Sequence, residues 1–74
     1  MKFGEALELL RVGEKITCDE FKNKIHAYLR LINLENDSVT SEFIAMFFSE
    51  NSKEIMIPWC PTSQELLSEN WEIL

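Results

Sequence analysis

The sequence predicts an α+β fold: an N-terminal helix, a small, mostly antiparallel sheet of about five strands, and a short C-terminal helix before the last strand. Three observations predict it. Apolar residues recur at helical spacing over a full stripe only near the N-terminus. The middle of the chain alternates or doubles its apolar residues at the period of a strand. The segments between these runs are short and polar, so successive strands pair antiparallel.

The elements follow in order. Phe3, Ala6, Leu7 and Leu10 fall at i, i+3, i+4 and i+7, one stripe of an amphipathic helix over about residues 3 to 12. Glu5 in the first turn and Arg11 in the last suit the helix dipole, and Gly13 supplies a C-terminal stop. Lys15 to Cys18 is a short strand, and Asp19 to Asn23 a polar turn interrupted by Phe21. From Ile25 to Ile32 the chain alternates, with Ile25, Ala27, Leu29 and Leu31 on one face and His26, Tyr28 and Arg30 on the other. Asn33 to Ser41 is polar and reads as a loop.

Glu42 to Phe48 is apolar on both faces: Phe43, Ala45 and Phe47 on one, Ile44, Met46 and Phe48 on the other. After a polar turn at Ser49 to Lys53, Glu54 to Trp59 returns as its hairpin partner. Thr62 and Glu65 have the spacing of a capping box, which predicts a short helix over roughly 63 to 68 with Leu66 and Leu67 on its buried side. Trp71 to Leu74 forms a final strand. Repeats, low-complexity tracts and linkers are absent, so residues 1–74 make a single domain.

One ten-residue helix and one short one cannot cover both faces of such a sheet. An apolar face left in water is an association site, and the chain is therefore expected to form a homo-oligomer. Small size points the same way, because a domain of 74 residues buries only about 60% of its unfolded surface.

Composition narrows the function. Seven Lys and Arg stand against 13 Asp and Glu, a net charge of −6, which argues against direct nucleic-acid binding. Nothing after Met1-Lys2-Phe3-Gly4-Glu5 resembles the apolar core of a signal peptide, and no apolar run is long enough to span a membrane. The expected location is the cytoplasm. Cys18 and Cys60 lack metal-ligand spacing and read as reduced, mostly buried thiols. No nucleophile–base–oxyanion set is visible around His26, and the two glycines cannot make a phosphate loop, so no enzyme, metal or cofactor is expected.

The two ends of the chain carry a further signal. "MKFGEALELLRVGEKI" and "IPWCPTSQELLSENWEIL" together resemble a family of small phage and prophage proteins. That family opens on a pattern like M-x-F-G-E-A-L-x-x-L-x-x-G-x-x-V and closes on one like V-P-W-x-P-S-Q-x-D-L-L-A-x-D-W-x-V. The spacing from Trp59 to Trp71 is kept without a gap. The family includes the second Thoeris anti-defence protein, and a type II anti-CRISPR carries the same domain.

The resemblance implies a sponge: a cytoplasmic homo-oligomer, tetramer or dimer, that binds a nucleotide-derived cyclic immune signal of the cyclic ADP-ribose type without cleaving it. The site would lie at a subunit interface. A protein–protein inhibitor of a host effector such as a CRISPR nuclease, or a prophage protein with no ligand, are the alternatives. A sponge needs aromatic faces for the adenine, cations or N–H groups for the pyrophosphate and polar groups for the ribose. The residues that the resemblance puts forward are Phe21, Lys22, Asn23 and Lys24, and from the closing motif Trp59, Ser63, Glu65 and Asn70. Phe21 stands where the family usually has tryptophan in a Gly-Trp-Asn-Gly-like turn, and Phe21→Ala is expected to weaken binding without dissociating the oligomer. Trp71 and Leu66 read as core. The departures fall at the first turn, where an arginine, a glycine and a tryptophan of the family are replaced and Asp19 and Glu20 add acids, in the closing motif, where the family's Ser-Gln and Asp become Thr62-Ser63 and Asn70, and in a shorter central loop.

Overall fold

The computed structural model describes residues 1–21, 25–36 and 39–74. The element order is α1 (Phe3–Arg11), β1 (Ile16–Cys18), β2 (Ile25–Asn36), β3 (Val39–Glu50), β4 (Lys53–Pro58), α2 (Ser63–Leu67) and β5 (Trp71–Ile73). The five strands form one sheet in the order β4-β3-β2-β1-β5, antiparallel at every pairing. The expected α+β class and element order are both present.

Helix α1 ends as its sequence dictates. Gly13 takes φ +93°, the Gly13 N–H donates to the Leu10 carbonyl and the Glu14 N–H to the Leu9 carbonyl. These two bonds satisfy carbonyls that the last turn would otherwise leave open. Ala6 and Leu10 are fully buried against Ile16, Leu29 and Met46, with Phe3 and Leu7 half-buried beside them.

The central hairpin is longer than its sequence suggests. Of the segment read as a loop, Asn33 to Ser41, residues 33–36 and 39–41 pair instead across β2 and β3, with Asn33 opposite Glu42, Leu34 opposite Ser41 and Asn36 opposite Val39, while Asp37 and Ser38 lie outside the described residues. Asn33, Leu34, Glu35, Ser41 and Glu42 are exposed, so polarity there reports contact with water and not a break in the ladder. A register shift between Ile25 and Tyr28, with His26 at φ 54°, marks a bulge at the other end.

At the β3–β4 turn Asn51 and Ser52 both have positive φ, 51° and 66°, the requirement of a type I′ hairpin. Asparagine tolerates this conformation; serine does so less well. Ser52→Gly is expected to raise stability by about 0.5–1 kcal/mol, read as a higher urea midpoint at unchanged slope.

Register assigns the faces. Ala27, Leu29 and Leu31 of β2, Ile44, Met46 and Phe48 of β3, and Ile16 and Cys18 of β1 lie toward α1. Tyr28, Arg30 and Ile32, with Phe43, Ala45 and Phe47 opposite them, point the other way, joined by Met56 and Pro58 of β4. Among the described residues no helix packs on this second face. Its centre is a parallel-stacked pair, Tyr28 on Phe47, with ring centroids 5.2 Å apart and planes at 8°. Lys15 Nζ sits 5.1 Å from the Tyr28 centroid, and the phenol donates to Glu54 at 3.4 Å. Burial, then the charge of Glu54, hold the Tyr28 phenol above its ordinary pKa.

Candidate functional site

The closing motif bonds chiefly to itself. The Thr62 hydroxyl accepts from the Glu65 N–H at 3.1 Å, and Glu65 Oε1 accepts from the Thr62 N–H at 2.9 Å, a complete capping box. The other carboxylate oxygen, Oε2, accepts from the Trp59 indole N–H at 3.2 Å. The Glu65 carbonyl accepts from the Trp71 indole N–H at 3.1 Å. One residue thus ties the start of α2 to both tryptophans. These bonds, and not an apolar stripe, hold a five-residue helix. The expectation that Leu66 and Leu67 are buried fails for that reason: they are 43% and 80% exposed.

Trp71 is the centre of the aromatic cluster. Only 1% exposed, its ring centroid lies 5.2 Å from Phe3, 5.6 Å from Phe21 and 5.8 Å from Trp59. Its backbone N–H donates to the Met1 carbonyl, while β5 pairs with β1, Cys18 opposite Trp71. The N-terminal helix is therefore locked to the last strand.

Phe21 follows a turn closed by its own N–H on the Cys18 carbonyl. It is buried, edge-on to Trp71. That placement revises the expectation for Phe21→Ala: the change removes core as well as site wall, and Trp59, half-buried, is the cleaner probe.

Two clefts open on the helix-bearing side. An apolar one of about 440 Å³ is walled by Phe21, Met46, Ile57 and Trp59, with Pro58 and Cys60 at the end of β4. A polar one of about 660 Å³ is lined by Thr62, Gln64, Leu67 and Ser68. Glu20 and Glu65 belong to both. Cys60 is exposed rather than buried, since it stands in the connection to α2, whereas Cys18 is buried.

Of the residues proposed from the sequence, the fold brings Phe21, Trp59 and Glu65 to one cleft. Ser63 and Asn70 are exposed and line neither cleft; the Asn70 N–H donates to Ser68 Oγ at 3.1 Å. Lys22, Asn23 and Lys24 lie outside the described residues. Sequence reasoning missed Met46, Ile57, Gln64 and Ser68. The period-2 relation of Ile57 to Trp59 at the end of a strand was the available signal for one of them.

A family model for the Thoeris anti-defense 2-like domain matches residues 1–74, the whole chain. The chain belongs to the Thoeris anti-defense 2-like family. The match includes the divergent turn around Phe21 as well as the two ends that carry the motifs. No curated protein matches the chain. Membership in the Thoeris anti-defense 2-like family supports an anti-defence role in general terms. Among the described residues of this family member, no helix is long and apolar enough to cross a membrane.

Proposed function

We propose that this protein is a phage or prophage sponge, which in the host cytoplasm binds and sequesters a nucleotide-derived cyclic immune signal of the cyclic ADP-ribose type without cleaving it. The observation that carries the reading is the apolar cleft between Phe21 and Trp59. It presents an aromatic wall with Met46 and Ile57 beside it, the surface a purine ring stacks against. Family membership supplies the defence context. The site works by retention: its Glu65 carboxylate is already bonded through both oxygens, which suits a wall and not an acid–base catalyst.

The protein acts as a homo-oligomer, dimer or tetramer, built on the sheet face that the helices leave bare. A second copy is the occupant of this face, because its centre is an aromatic pair that no helix of the subunit covers. Lys15, just before β1, and Arg30 on β2 flank the Tyr28–Phe47 stack, while Glu54 on β4 and Glu72 on β5 stand at its margins as a polar rim. Leu34 and Met56, 54% and 50% exposed, add apolar area for that contact. The clefts lie on the opposite side, so this pairing leaves them open to ligand.

Calorimetric titration with cyclic ADP-ribose tests the reading. Wild-type protein is expected to bind it and to release it intact on heating. Trp59→Ala is expected to weaken binding by about tenfold or more, from the loss of a stacking face worth about 1–3 kcal/mol. Binding unchanged by Trp59→Ala, or a hydrolysed product, would overturn the assignment. A monomer that takes no nucleotide but forms a complex with a purified CRISPR nuclease would establish the effector-blocking alternative instead.

A further inference from the structure

Beside the exposed Thr62 and Gln64, the polar cleft holds two groups shielded from bulk water whose hydrogen-bonding capacity the fold leaves over, Ser68 and Glu20. Ser68 is buried, 8% exposed, on the cleft wall. Its oxygen accepts from the Cys18 thiol at 3.4 Å and from the Asn70 N–H at 3.1 Å. A serine hydroxyl has two lone pairs and one proton. Both lone pairs are taken, so the proton must be donated elsewhere, and the cleft is the open direction. Glu20 is the reverse case. It is half-buried where the two clefts meet, and its carboxylate has no hydrogen bond or ion pair among the described residues. Glu65, the other acid there, is fully engaged.

A donor and an acceptor in one cleft match a hydroxyl group, which both accepts and donates. Phosphate oxygens only accept, and a carboxylate repels them. The polar cleft adjoins the aromatic one through Glu20, as a sugar adjoins its base. We infer that, in the sponge proposed above, the polar cleft takes the ribose of a nucleoside whose base occupies the Phe21–Trp59 cleft, and that Glu20 reads its free hydroxyls and rejects a phosphate there. The inference rests on the proposed function and adds the ligand's orientation and its selectivity.

Titration of cyclic ADP-ribose, and of the same molecule phosphorylated on the 2′-hydroxyl of its adenosine ribose, into wild type and Glu20→Gln is the test. Wild type is expected to prefer the unphosphorylated ligand by about tenfold or more, because like charges oppose each other at close range. Glu20→Gln keeps the size of the side chain and removes its charge. The variant's preference is expected to fall to about threefold or less. Equal binding of both ligands to wild type would overturn the inference and leave the sponge reading intact, as would an undiminished preference in Glu20→Gln. Should wild type bind neither ligand, the sponge reading itself fails and the inference falls with it.

Discussion

In the proposed homo-oligomer, changing Phe47 to aspartate is expected to leave a folded monomer. Phe47 stacks on Tyr28 at 5.2 Å on the face that α1 and α2 do not cover. In an isolated subunit Phe47 is half-buried, so the new carboxylate reaches water and the cost is chiefly the lost stack on Tyr28, about 1 kcal/mol. Between two subunits it is an unpaired charge among Phe43, Met56 and Pro58, and burying such a charge costs several kcal/mol. Association should therefore weaken by about a hundredfold or more. Light scattering behind size-exclusion chromatography measures the mass, and far-ultraviolet circular dichroism the fold. The expected pair of results is monomer mass with unchanged secondary structure, since the opposite core of Ala6, Leu10, Ile16 and Leu29 is untouched. A variant that keeps the wild-type mass would show that copies meet somewhere else.

Trp71→Ala should come close to unfolding the chain. The ring is 1% exposed and packs on Phe3, Phe21 and Trp59, and its indole N–H holds the Glu65 carbonyl. Truncating a buried tryptophan costs about 3–5 kcal/mol. A chain of this length has roughly 4–11 kcal/mol in all. Urea unfolding at one fixed protein concentration should find most of the transition lost, while Trp71→Phe retains part of it. A loss below about 1 kcal/mol would mean that the cluster is not what joins α1 to β5.

These two residues also show what can be read from sequence. Trp71 and Trp59 stand out in the closing motif, and Thr62 with Glu65 announces the cap by spacing alone, because capping is a local interaction. Helix α1 is equally legible, since its stripe and Gly13 are local too. The two-sided run from Phe43 to Phe48 showed in advance that one sheet face would lack cover. Residues 33–36 and 39–41 were misread as loop because polarity tracks exposure, and the exposed end of a hairpin ladder is polar without leaving the strand. Leu66 and Leu67 were misread because α2 is held by hydrogen bonds. Glu20 and Ser68 could not have been paired from sequence. They are 48 positions apart, and only the pairing of β1 with β5 brings the Cys18 turn alongside the end of α2.

Sequestration makes a claim about mass. The protein should be purified from cells that produce a cyclic ADP-ribose-type signal and weighed under native conditions at micromolar concentration. The proposed function requires a multiple of the subunit mass that carries the nucleotide and gives it up whole when the complex is activated. A solitary subunit without cargo, in cells where the signal is abundant, would contradict it.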